Sequence, residues 1–147
     1  MLQNELGSIM KYFHNINPVA IYTDTMPQGF KSPSMYFPVP IVFSFGDTFS
    51  TYKNSYQMFV KFFGKTTREA FEKAQEVTEV LKKAKMIIPY LNGDGSFSGG
   101  YLRINKTQVK ELEEKVIQVT LDWDSRYPYD KEVYEKMEAL NLDLIIK

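Results

Sequence analysis

Three observations predict an α+β fold, with a mixed, mainly antiparallel sheet packed by two or three helices. Two segments alternate with the period of a strand, 56–63 between an apolar and a mixed face and 116–124 between an apolar and a polar one. Two others, 2–16 and 67–85, space their apolar residues as a helix does. The strand-like segments also follow one another in runs, without the repeated βαβ rhythm that would imply a doubly wound parallel sheet. The expected order is α-β-β-β-α-β-β-β-α-β.

The first helix rests on Leu2, Leu6, Ile9, Met10, Phe13 and Ile16, and it stops at Asn17 because Pro18 disfavours helix in the residue before it. A short β-prone run at 19–23 follows. Pro27, Gly29 and Pro33 then make a loop of 24–33. Residues 35–45 are rich in aromatic and β-branched side chains. Pro38 and Pro40 have no N–H to give a ladder, so this strand is expected at a sheet edge at least along that half.

In the next strand Tyr56, Met58, Val60 and Phe62 form one apolar face, with Gly46-Asp47 part of the preceding turn region. Thr66-Thr67-Arg68-Glu69 reads as a capping box that opens a helix reaching about Lys85, with Ala70, Phe71, Ala74, Val77, Leu81 and Ala84 as its core stripe. A strand at 86–90, a Gly/Ser-rich loop at 92–100 and a strand at 101–105 follow. The clearest strand is 116–124, where Ile117, Val119, Leu121 and Trp123 face one way and Gln118, Thr120, Asp122 and Asp124 the other. Asp130 is a reasonable N-cap for a short helix to about Leu140, and 142–146 can return as a final strand.

A chain of 147 residues has the size of one domain and buries roughly 70% of its unfolded surface. With 44% hydrophobic residues, 11 Phe and 10 Tyr among them, it can fill a core without metals or crosslinks. No linker or internal repeat divides residues 1–147, so a single domain is expected. The absence of cysteine excludes disulfides, thiol catalysis and Cys-ligated zinc, and fits a reducing compartment. Lys+Arg and Asp+Glu both total 18, so no global field gathers nucleic acid or an anionic membrane surface. The N-terminus lacks the basic and apolar regions of a signal peptide, and no apolar run approaches the roughly 20 residues of a membrane span. A soluble protein is expected.

Sites of chemistry are scarce. His14 is the sole histidine and sits one residue off the apolar stripe of the first helix, with no nucleophile or carboxylate placed beside it by spacing. Asp122 and Asp124 project from one strand face about 7 Å apart, suited to a metal or acid-base pair, but strand alternation already accounts for them as a solvated face. Asn92-Gly93-Asp94-Gly95 matches part of a calcium loop without its remaining ligands. Phosphate-binding loops, dinucleotide fingerprints, nucleophile elbows and zincin motifs are all missing. The expectation is therefore no catalytic residue, no cofactor and no metal. Charge is unevenly placed: 53–85 holds eight basic residues against four acidic, and 122–138 three against six. Complementary patches of this kind favour contact between identical subunits, though two ordinary helix surfaces would give the same count.

The element order, and the segment Val119-Thr120-Leu121-Asp122-Trp123-Asp124-Ser125-Arg126-Tyr127-Pro128-Tyr129-Asp130, resemble the tail terminator proteins of tailed phages and phage-derived tail elements. The resemblance is sharpest over 101–130. It implies a structural subunit, not an enzyme, that forms a ring, typically a hexamer, on the head-proximal end of the tail tube. Such a ring stops tube polymerisation and presents the surface that joins the head. Implied partners are further copies of itself, the tail tube protein and the head-tail connector protein, with no nucleic-acid specificity and no membrane. Assembly in the host cytoplasm, and then residence in a virion or phage-like tail particle, follow.

Within that picture the candidate interface residues are Tyr36 and Phe37 on the Pro-bearing strand, Asp94 and Phe97 in the Gly/Ser loop, and Asp122, Asp124, Arg126, Tyr127 and Tyr129 in the resembling segment. The competing readings are another head-tail completion or minor tail protein, a tail-tube subunit, or a non-phage module that binds a small molecule among the aromatic residues of 56–63 and 127–129. An enzyme built on Asp122 and Asp124 ranks last.

Overall fold

The computed structural model describes residues 2–130, which form α1 (Leu2–Ile16), β1 (Ala20–Thr23), β2 (Ser34–Phe37), β3 (Ile41–Gly46), β4 (Thr51–Phe63), α2 (Thr67–Lys83), β5 (Ile87–Leu91), β6 (Phe97–Glu113) and β7 (Val116–Pro128). The helix and strand expected after Asp130 lie outside the described residues. The seven strands make one sheet in the order β1-β2-β4-β7-β6-β5, with β3 also on β4. Only the β1–β2 pair is parallel. The fold is α+β, as expected, and the sheet dominates it.

The two long alternating segments are the centre of the sheet. β4 and β7 pair antiparallel over thirteen positions, and the register sets Tyr56 opposite Trp123, Met58 opposite Leu121, Val60 opposite Val119 and Phe62 opposite Ile117. All eight side chains are buried. Because strand side chains alternate, pairing in this register puts both apolar faces on the same side, and a slip of one residue would turn one of them to water. Ile9 and Phe13 of α1 and Ala70, Ala74, Val77 and Leu81 of α2 complete the cluster. Phe13 meets Phe37 edge-on, with ring centroids 5.7 Å apart.

α2 starts as its capping sequence requires: the Thr66 hydroxyl accepts from the Glu69 amide at 3.1 Å. The helix ends at Lys83, two residues before expectation, through Lys85 and Met86, both at φ 63. Their amides bond the Lys82 and Leu81 carbonyls, which closes the last turn. One member of the expected stripe is misplaced. Phe71 is 41% exposed, because Ala70, Ala74, Val77, Thr78 and Leu81 already fill the side of α2 that meets the sheet.

Four strand expectations change. Residues 35–45 are two strands on the same edge of β4: Ser34 to Tyr36 pair with 61–63, and Ile41 to Gly46 with 52–57. Pro38 and Pro40 occupy the break, where their missing N–H groups lose no ladder bond. Of the two, only β3 has an open outer edge among the described residues, since β1 covers β2. The strand expected at 101–105 is the seventeen-residue β6, which pairs with β7 along residues 104–113. The expected flexible loop at 92–100 is mostly a tight turn, closed by the Asn92 amide on the Ser96 carbonyl at 2.8 Å. Finally, β7 continues past Asp124 to Pro128, so the segment 125–128 is strand.

Candidate functional site

Both helices contribute to the cluster on one side of the sheet, and among the described residues no helix packs on the other face. The resembling segment runs along β7. At its base lies a polar centre that the sequence does not advertise. Glu5, on the buried side of α1, is 1% exposed and accepts hydrogen bonds from the Ser125 hydroxyl and from the Tyr127 hydroxyl at 2.5 Å. Tyr127 and Tyr56 hydroxyls lie 2.9 Å apart, and the Asn54 amide donates to Tyr56 at 3.1 Å. With the Tyr127 proton committed to Glu5, Tyr56 is the donor to Tyr127, so the three groups after Asn54 form a directed chain ending on the carboxylate. Burial, together with the bonds to Glu5 and Tyr56, pushes the Tyr127 phenol above the ordinary tyrosine range. Burial first, then the Glu5 charge, also raises Tyr90. Such a chain ties α1 to the outer part of β7 and gives both a fixed geometry. The only sequence signal for it is a single acid, Glu5, on the apolar side of a helix.

The candidate residues fall into three places. Asp122 and Asp124 share the outer face of β7, as alternation predicts. Asp124 accepts from the Ser55 hydroxyl at 2.6 Å and from the Asn105 amide at 3.1 Å, while Oδ1 of Asp122 is buried without a hydrogen-bond partner among the described residues. Beside them is a groove of about 330 Å³ lined by Phe43, Ser55, Gln57, Asn105 and Lys106. No group of three or more His, Cys, Asp or Glu side chains that could hold a metal occurs among the described residues. Further out, Arg126 donates through Nε to Asp47 at 2.7 Å, and Tyr129 packs on Tyr52 with centroids 5.6 Å apart.

The second place is the tip of the β5–β6 hairpin. Asp94 accepts from the amide and hydroxyl of Ser96, which hold its carboxyl below the usual range. Phe97 is 52% exposed and packs only its flank on Tyr101, at 5.5 Å. The third is β2. The Tyr36 hydroxyl donates to the Asp24 carbonyl, and the Lys61 ammonium sits over its ring at 5.4 Å. Phe37 corrects the expectation of a side chain offered to another molecule: it is 4% exposed, because its position in β2 points it at Phe13.

Of the six aromatic residues expected to line a small-molecule pocket, two are core and Phe59, Phe63, Tyr127 and Tyr129 are half-buried. Tyr56 and Phe62 are buried, and what remains is an open groove of about 550 Å³ beside Tyr52, Asn54 and Tyr127. His14 is exposed, in keeping with its position off the stripe. The basic excess of 53–85 does not form one patch. Lys73 and Lys82 pair with Glu76 and Glu79 on α2, while Lys53 and Lys61 lie over aromatic rings on the sheet. Part of the acidic stretch lies outside the described residues.

Sequence signals also missed a run of exposed apolar side chains on β3 and its approach. Val39 is 72% exposed, and Ile41, Val42, Phe43 and Phe45 are each about half exposed. The β-branched and aromatic composition was visible in the sequence, but it reads equally well as core.

Comparison with known proteins places this arrangement. A family model described as phage tail terminator protein matches residues 5–136. Among curated relatives, the uncharacterized protein YqbJ of Bacillus subtilis (strain 168) is 31% identical over 146 residues, covering 99% of this chain and all of its own. The phage-like element PBSX protein XkdJ of the same organism is 30% identical with the same coverage. A chain of the virion of a native gene transfer agent (GTA) particle shares the fold at a TM-score of 0.52 and 11% identity, over 84% of this chain and 94% of its own. The protein belongs to the phage tail terminator family.

Proposed function

We propose that the protein is the structural subunit of a ring, hexameric by analogy with the family, that caps the head-proximal end of a tail tube. There it stops tube polymerisation and supplies the surface to which the head is joined. The observation that carries this reading is the family match over 5–136 on a chain whose described residues leave a strand edge and five apolar side chains of 39–45 uncovered. A patch of that kind on a protein surface is a contact region or an aggregation hazard, and an assembly subunit resolves the hazard by burying it.

Capping requires asymmetry. One face of the ring must fit the last tube ring, and the other must not template a further one. The hairpin tip with Asp94 and Phe97, and the outer face with Asp122, Asp124 and Arg126, serve as the two candidate contact regions, and Tyr36, Tyr127 and Tyr129 are further candidates. Partners are other copies of the chain, the tail tube protein and the head-tail connector protein; catalysis plays no part. The protein is taken to assemble in the host cytoplasm and to remain in the virion or tail particle.

The test is tube growth. Adding the purified protein to polymerising tail tube protein should shorten the tubes, and electron microscopy should show one extra ring at one end only. Tubes of unchanged length with bare ends, or incorporation of the protein along their length, would contradict the reading.

A further inference from the structure

The β3 arm is apolar where water should meet it, while its β4 partners include Lys53, Asn54, Ser55 and Gln57, and the Lys53 ammonium lies over the Phe45 ring. Strand β3 has no charged residue, every one of its six positions is exposed, and its outer edge carries no strand among the described residues. Ile41, Phe43 and Phe45 pair with Gln57, Ser55 and Lys53 and so share the outer face of the sheet. Val42 lies on the opposite face beside Tyr52 and Asn54. At about half exposure each, and more for Val39, these five side chains present roughly 500 Å² of apolar surface, against about 800 Å² per partner in a standard interface. The edge backbone and the flanking polar residues supply the remainder.

A groove with an apolar wall and a charged rim lies toward the other end of the same strands. Set between the start of α2 and β6, it has a volume of about 610 Å³ and is lined by Thr67, Phe71, Glu72, Val109, Glu111 and their neighbours. Phe71 on its wall is 41% exposed. The charged groups on its rim balance, Arg68 and Lys110 against Glu72 and Glu111, so an uncharged strand meets no net repulsion there. Phe45 stands opposite Lys53 on β4, and Ile117 of the groove stands opposite Phe62. Nine strand residues, or about 30 Å, therefore separate the Phe45 end of the projection from the groove, and five separate its Ile41 end, which stands opposite Gln57.

We infer that the β3 arm of one subunit seats in the α2–β6 groove of the next copy of the chain, and that this contact builds the ring. The inference rests on the ring reading above and gives it a surface. Two different patches at opposite ends of one subunit make a head-to-tail contact, the kind that closes into a ring when its rotation allows. An arm-to-arm contact would instead end at a dimer and leave the groove open. Pro38 and Pro40, just before the arm, confine edge pairing to the six residues of β3 and limit runaway sheet growth.

The chain has no cysteine, so a Phe45→Cys/Phe71→Cys double variant carries only the two introduced thiols. Both sites are exposed, and neither substitution opens the core. Mild oxidation of the full-length protein, with and without tail tubes, should give a ladder of disulfide-linked multimers that ends at the ring size measured for the unaltered protein. Each single variant should stay unlinked. Replacing Phe43 and Phe45 together by Ser should weaken self-association by about 100-fold or more.

A strong dimer from Phe45→Cys alone would establish arm-to-arm contact and overturn the inference. Capture of Phe45→Cys by tube subunits through a thiol-to-amine crosslinker, with no capture of its own kind, would overturn it in favour of the tube. A Phe45→Cys thiol shielded from maleimide in the monomer would do so in favour of the same chain folding over its arm. Rings without a ladder from the double variant would refute the arm-groove contact and leave the ring standing. A protein that neither self-associates nor joins tubes would refute both.

Discussion

The residue that organises the tail end of the sheet is Glu5, an acid that the surrounding apolar positions of α1 give no reason to expect inside. Its carboxylate is kept there by two hydroxyl donors, Ser125 and Tyr127, from a strand 120 and 122 positions away. Removing it strands both. Glu5→Ala should destabilise the fold by about 2–4 kcal/mol in urea unfolding, since hydrogen bonds to charged groups contribute more than neutral ones and their loss leaves polar groups unpaired. Tyr127 gives a test by pH. Its folded pKa is raised, so the unfolded chain loses this proton first as pH rises, and stability falls above about pH 10, where an ordinary tyrosine ionises. The contribution is fully present below that pH. Tyr127→Phe should therefore flatten the alkaline fall in melting temperature relative to the unaltered protein; an identical alkaline slope in both would contradict the proposed hydroxyl chain. None of this was legible beforehand, because hydrogen bonds between residues so far apart leave no local pattern in the sequence.

At the scale of elements, legibility followed periodicity. The strands at 56–63 and 116–124 and both helices were readable because one face of each is mainly apolar and the other is not. β6 was read as five residues instead of seventeen because 105–113 is exposed on most positions, so alternation had nothing to mark. The Pro-broken strand was read correctly in composition but not in position, since a sequence does not tell which neighbour covers an edge. Local chemistry was more dependable. Thr66→Ala should remove the cap of α2 and cost about 1 kcal/mol. Gly64 just before it is required by space: a Cβ there would stand 2.8 Å from the Ala70 amide nitrogen and 2.9 Å from the Thr66 carbonyl oxygen, both backbone atoms. Gly64→Ala should therefore cost about 1–3 kcal/mol, more than the cap itself, and thermal unfolding of the two variants side by side checks the order.

For the whole molecule, the decisive feature is how unevenly the sheet is covered. Where α1 and α2 pack on it, Trp123, Leu121 and Val119 are sealed, and Trp123→Ala should cost about 3–5 kcal/mol without altering any outer surface. Beyond their reach the same sheet continues as β3, apolar and uncovered among the described residues. Of the candidate interface, the outward positions of Asp122 and Asp124 were readable from alternation, and the exposed Phe97 from its Gly/Ser surroundings. The inward position of Phe37 and the exposure of Phe43, Phe45 and Phe71 depend on tertiary coverage, to which composition is blind. A subunit of this form is expected to be a poor monomer at high concentration and to be completed by neighbours.

The most direct measurement is the solution mass of the purified full-length protein across a concentration series, by light scattering or analytical ultracentrifugation, alone and with tail tubes. A discrete closed oligomer, or a monomer that becomes one ring per tube end once tubes are present, is the predicted result. A monomer or dimer whose mass is unchanged by either concentration or tubes would contradict the account.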